Sequence, residues 1–127
     1  MIKLSFIFLG SGAGGVLRYA LGGLLQTRIG GAFPIGTLLI NVTGCFFIGL
    51  LTAALSGRIL LREEYRLALL VGLLGGYTTF STFGWETFAL LNDGQIWRAA
   101  LNVGASVILG LAAVWGGYRL AEYWLGA

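Results

Sequence analysis

The chain has 127 residues, of which 57% are hydrophobic and only 10% charged, whereas about a quarter of the residues of a soluble domain carry charge. That balance excludes an ordinary water-soluble globule and selects the membrane class. The net charge of +3 is spread over arginines in polar joints, a distribution that fits anchoring to a lipid bilayer surface and not nucleic-acid binding.

A bilayer core roughly 30 Å thick takes about 20 apolar residues of helix, and the sequence divides into four such spans, at residues 4–25, 35–55, 67–91 and 99–120. They consume nearly the whole chain and leave no room for a soluble catalytic domain. An enzymatic role is therefore not expected, and whatever the protein does it does within or across the membrane.

Span one follows Lys3 and could be mistaken for a secretory signal, but no small-residue cleavage pattern is followed by a soluble sequence, so it is read as a span. Gly10 and Gly14 leave a smooth stripe for close helix packing. Arg18 near its far end either draws anions into a vestibule or snorkels to the headgroups. The joint 26–34 holds Arg28 and the single proline, Pro34.

Span two places Thr37, Asn41 and Gly44 at i, i+4 and i+7, one helical stripe that carries donors. Asn41 is either glue between helices or part of a pathway. Cys45 is the single cysteine and reads as a small packing residue. The joint 56–66 is charged, with Arg58, Arg62, Glu63, Glu64 and Arg66.

Span three repeats the small-residue spacing at Gly72 and Gly76, then runs into Gly75-Gly76-Tyr77-Thr78-Thr79-Phe80-Ser81-Thr82-Phe83. Two glycines followed by two threonines lower helix propensity over consecutive residues. Backbone at this depth can unwind only where protein or a cavity meets its freed carbonyls, and broken helices of this kind recur at ion and substrate sites. A broken third helix is therefore expected. Phe80 and Phe83, three apart, project from one side just after it. Such a pair is often core, but ring edges carry partial positive charge and can face an anion. Glu86, one turn later, is expected to pair with a basic group or to accept a threonine hydrogen bond, in a mouth or structural role.

The joint 92–98 opens with Asn-Asp-Gly, a turn signal. Span four supplies Asn102 and Ser106 on one face. Trp97 and Trp124 sit at span ends, at headgroup level.

With four spans both termini share a face with the second joint. That face carries Lys3, Arg58, Arg62, Arg66 and Arg119, against Arg28 and Arg98 on the other, plus Arg18 if it snorkels. The excess leans towards cytoplasmic termini but is modest, which leaves insertion in both orientations open. The glycine stripes and the little polar surface that four helices can bury imply a homo-oligomer. Taken together, amide, hydroxyl and ring-edge donors without competing acceptors read as a path for a small, strongly hydrated anion.

Three motifs carry a family resemblance: Gly-Gly-Val-Leu-Arg18-Tyr19; Gly36-Thr37 with Asn41 and Gly44; and Gly72 through Phe83 with Glu86. On them the sequence resembles the Fluc (CrcB-type) fluoride channels over its whole length. The resemblance implies a homodimer of two four-helix subunits inserted antiparallel, in dual topology, as a multi-pass protein of the cell inner membrane. The dimer would hold two pores that let fluoride leave the cytoplasm passively and so relieve its toxicity. The resemblance further implies that Phe80, Phe83 and Asn41 line the fluoride path; Thr37, Ser81, Thr82 and Ser106, read from their spacing and hydroxyl donors, are expected along it. It also implies a structural Na⁺ at the dimer centre, held by the backbone carbonyls of Gly75 and Thr78. One departure is Gly110, where several family members carry a hydroxyl about one turn beyond Ser106.

Two other readings compete. A proton-coupled small multidrug transporter has a similar length and span number, but needs a membrane-embedded carboxylate in span one, where this chain has Arg18. A non-transporting assembly protein would tolerate replacement of Asn41, Phe80 and Phe83.

Overall fold

The computed structural model describes residues 1–56 and 59–125. Arg58, assigned above to the second joint, lies outside the described residues. The described chain is all helical. It comprises α1 (Ile2–Ile29), α2 (Ile35–Leu55), α3 (Glu63–Leu67), a π-helical stretch Ala68–Leu74, α4 (Gly75–Tyr77), α5 (Phe80–Asn92) and α6 (Ile96–Leu125). Four stretches are long and apolar enough to cross a membrane: α1, α2, the composite Glu63–Asn92, and α6.

The second span coincides with α2. The other helices outrun their apolar windows, because hydrogen bonding sets where a helix ends while hydropathy sets only the part that lies in hydrocarbon. At about 1.5 Å per residue, the 28 residues of α1 and the 30 of α6 exceed the membrane core. Their surplus turns carry the residues suited to its borders: Arg28 in the last turn of α1, and Arg119 paired with Glu122 at 2.9 Å near the end of α6. Trp97 and Trp124 are exposed at the two ends of α6.

The first connection turns on Gly30 and Gly31, both with positive φ, a conformation that costs glycine little. Gln26 locks it. Its amide nitrogen donates to the carbonyls of Gly31 and Phe33, each at 3.1 Å, and its oxygen accepts the Gly36 N–H at 3.0 Å. The third connection is the Asn-Asp-Gly turn, with Gly94 at φ 73° and the Gln95 N–H donating to the Leu90 carbonyl at 2.8 Å. At the opposite end Lys3 pairs with Glu63 at 2.6 Å, so the N-terminus and the second connection share one end. Glu63 and Glu64 occupy the first turn of α3, where carboxylates complement the helix dipole.

Two helix pairs form the frame, α1 against the Glu63–Tyr77 half of the third span and α2 against α6. Both rest on glycine. A Cβ on Gly14 would collide with the Leu73 carbonyl, and one on Gly76 with the Ser11 carbonyl. In the second pair, Cβ atoms on Gly49 and Gly117 would strike the carbonyls of Val114 and Phe46. The small-residue stripes of spans one and three thus face each other: Gly10 packs against Gly72 and Ala68. Lipid tails give apolar helices no hydrophobic reason to associate, so this backbone-to-backbone approach is what holds the pairs together.

Candidate functional site

Between α4 and α5 the backbone leaves helical geometry for two residues. Thr78 has φ −82°, ψ 159° and Thr79 has φ −150°, ψ 117°. The Gly75-Gly76 pair itself lies within α4. What straightens the next residues is Asn41. Its Oδ1 accepts the Thr79 N–H at 2.8 Å, and its Nδ2 donates to the Thr79 carbonyl at 3.0 Å. One side-chain amide thus pairs with both backbone groups of an extended residue, as a neighbouring strand would. In an unbroken helix that Thr79 N–H would bond the Gly75 carbonyl. Diverting it to Asn41 withdraws Gly75 from the ladder.

Thr79 also starts the next helix. Its hydroxyl accepts the Thr82 N–H at 3.2 Å and donates to Thr82 Oγ1 at 3.0 Å, an N-cap built from a threonine three residues ahead of the group it satisfies. The close approach of α2 here depends on Gly44, whose Cβ would run into the side chain of Thr78.

Two cavities flank this extended segment. The larger, about 890 Å³, is bordered by Arg18, Thr37, Thr79, Thr82 and Glu86. The smaller, about 410 Å³, is bordered by Asn41, Gly75, Thr78, Phe80, Phe83 and Ser106. Thr79 borders both. The residues singled out from sequence therefore fall into two groups, and the α2 stripe is divided between them, Thr37 on one side and Asn41 with Gly44 on the other. Ser81 is exposed and stands outside both cavities.

Among the described residues that border the smaller cavity there is no carboxylate. Its polar groups are the Asn41 amide, the Ser106 hydroxyl, the Cys45 thiol and the threonines of the extended segment. The Phe80 and Phe83 rings stand 5.6 Å apart between centroids, tilted by 42°. Phe80 is 84% exposed, so within a single chain the rings line an open groove. Ser106 Oγ is buried and makes no hydrogen bond among the described residues.

In the larger cavity, the Thr37 hydroxyl donates to Glu86 Oε1 at 2.7 Å, while Oε2 is buried without a partner among the described residues. Of the two partners expected for Glu86, the threonine is the one present. Arg18 lies beside the extended segment. Its Nη1 turns back to the Thr78 carbonyl at 3.5 Å, the weak limit of a hydrogen bond.

Thr79 and Gln26 were not singled out from sequence. Threonine is a favoured N-cap residue, a signal that could have marked Thr79, though Thr78, Ser81 and Thr82 around it carry the same signal. Nothing in the spacing marks Gln26, because its partners are backbone groups of a loop.

Residues 5–118 match the family model described as CrcB-like protein, Camphor Resistance (CrcB). The chain is 51% identical over 121 residues to the "Fluoride-specific ion channel FluC" of Solibacter usitatus, covering 95% of this chain and 99% of that one. It is 50% identical over 125 residues to the protein of the same name from Coxiella burnetii, covering 95% and 98%. With the Geobacter sulfurreducens protein of that name it shares 50% identity over 109 residues, covering 86% and 88%.

Proposed function

This chain belongs to the CrcB-like protein family, and on that premise we propose that it is a fluoride-specific ion channel of the cell inner membrane, one that lets fluoride leave the cytoplasm down its gradient. The observation that carries the reading is the smaller cavity, where an amide, hydroxyls and two phenylalanine rings converge with no carboxylate among them. Fluoride is small and strongly hydrated, so it leaves water only where donors replace its shell. The free hydroxyl of Ser106, the second amide proton of Asn41 and the positive ring edges of Phe80 and Phe83 are such donors.

The two extended residues give opposite polarity to the two helix ends they separate. The amide end of α5, 13 residues long, favours negative charge, and the carbonyl end of α4 favours positive charge. Anions would enter the larger cavity under the field of Arg18, pass the hydroxyls of Thr37 and Thr82, and cross beside Thr79 to the rings. Glu86, held by Thr37, is the group that resists crowding of anions there.

An open groove conducts nothing selectively, and the exposure of Phe80 supports a second copy as the missing wall. Two copies related by a two-fold axis in the membrane plane would form an antiparallel dimer with two such paths. The excess of basic residues at one end is modest, which leaves insertion in both orientations open. The same dimer would have room for a structural Na⁺ at its centre. Among the described residues the Thr79 N–H that would bond the Gly75 carbonyl goes to Asn41, and the Thr78 carbonyl accepts only the long bond from Arg18; neutral carbonyl oxygens suit a hard cation. One chain offers two such oxygens, so the ion needs the pair from each copy.

Liposomes loaded with fluoride and containing the purified protein test the reading. Fluoride release followed with an ion-selective electrode should far exceed that from empty vesicles, with chloride retained. Release no faster than from empty vesicles would refute it.

A further inference from the structure

We propose that Asn102 is a positioning residue of the ion path, acting through Thr87 to set the distance between the Phe83 ring and the wall carrying Ser106. The proposal rests on the fluoride-channel reading given above. Asn102 is 1% exposed and, with Ile40, is one of the largest fully buried side chains in the chain. Its Nδ2 donates to Thr87 Oγ1 at 2.9 Å, and Thr87 Oγ1 donates in turn to the Phe83 carbonyl at 2.8 Å. A relay of two hydrogen bonds thus runs from the interior of α6 to the backbone of the residue whose ring borders the smaller cavity.

The spacing puts this relay one turn from the path on both helices. Thr87 lies four residues after Phe83 on α5, and Asn102 lies four residues before Ser106 on α6, so clamp and path share one face of each helix. Ser106 and Phe83 border the same cavity. The hairpin that joins α5 to α6 is closed at its tip by the Gln95–Leu90 backbone bond, and the Asn102–Thr87 bond fixes it again between the tip and the cavity. Beyond the clamp, towards Phe80, α5 is held by Asn41 at Thr79 and by Thr37 at Glu86, both from α2. Among the described residues Asn102 thus supplies the side-chain hydrogen bond that registers α5 against α6. A buried amide that loses its partner in hydrocarbon must find another, so breaking the pair shifts the helices and does not merely leave a gap.

Simple helix glue would change how many channels assemble. Positioning changes what each assembled channel conducts. Unitary fluoride conductance in planar bilayers separates the two. Thr87→Val keeps the shape of the side chain and removes the hydroxyl, and Asn102→Leu removes the amide. Each should lower unitary conductance by about tenfold, the double variant should be no worse than either alone, and Thr87→Ser, which keeps the relay, should conduct like the parent. Should Asn102→Leu not assemble, Thr87→Val decides. A conducting Thr87→Val channel with the parent's unitary conductance overturns the proposal while leaving the fluoride reading intact. A parent chain that carries no fluoride current overturns both.

Discussion

Asn41 has one amide and three tasks. It accepts from the Thr79 N–H, donates to the Thr79 carbonyl, and keeps one proton for the smaller cavity. Asn41→Asp removes both donors and places an anionic oxygen against the Thr79 carbonyl. It should abolish fluoride flux, as measured by electrode on liposomes at matched protein density. Asn41→Asp with parental flux would show that neither the amide nor its proton matters. The rings are tested more gently. Phe80→Ile and Phe83→Ile keep apolar volume and remove the polarised edge, so each should cut flux about tenfold, the equivalent of roughly 1.4 kcal/mol in barrier height. The oligomer should still elute as the parent does. Parental flux in both would return the rings to a packing role.

The residue scale is also where sequence reading reached furthest and then stopped. Spacing alone put Asn41 and Thr37 on one stripe, and both are in use, but on opposite sides of an extended segment that the spacing does not reveal. The glycine pair looked like the weak point of the helix. In the structure Gly75 and Gly76 stay helical, and Thr78 and Thr79 are extended because a side chain from another helix competes for the Thr79 N–H. Such competition is tertiary, and no local propensity encodes it. Glu86 is the converse case: its two expected partners came from chemistry, and geometry selected Thr37.

At the scale of elements, glycine does the work that apolar burial does in water. The four spans were legible from hydropathy, and the facing stripes of Gly10 and Gly14 against Gly72 and Gly76 were legible from spacing. The α2–α6 contact through Gly49 and Gly117 was not singled out, although Gly49 with Ala53 and Gly117 with Ala121 carry the same four-residue small spacing, because glycine and alanine at that spacing are too frequent in this chain for spacing to say which stripe meets which. The contrast between glycines is testable. Gly14→Ala puts a methyl group into the Leu73 carbonyl, whereas a methyl group on Gly12 would meet no other element within 4 Å among the described residues. Overpacking of this kind costs about 1–3 kcal/mol. Gly14→Ala should lower the thermal unfolding midpoint in detergent, and Gly12→Ala should hold or raise it, since alanine favours the helix. Equal midpoints would show that the helices can part without cost. The helix ends teach a smaller lesson: α1 and α6 outrun the expected spans because polar end residues continue the hydrogen-bond ladder outside the hydrocarbon.

At the scale of the whole molecule, a single chain presents an open ring-lined groove and two carbonyls outside the helical ladder, both of which a second copy would complete. Replacing Na⁺ with a bulky organic cation during reconstitution should therefore reduce the dimer fraction seen by crosslinking, and adding Na⁺ back should restore it. A dimer fraction indifferent to Na⁺ would count against the carbonyl site. A passive path that selects fluoride carries a sharper expectation. It is tested most directly by the reversal potential across a bilayer with opposed fluoride and chloride gradients and a superimposed pH gradient. The account predicts reversal at the fluoride equilibrium potential at every pH difference imposed. Reversal that tracks chloride, or that moves with the proton gradient as in a coupled transporter, would contradict it.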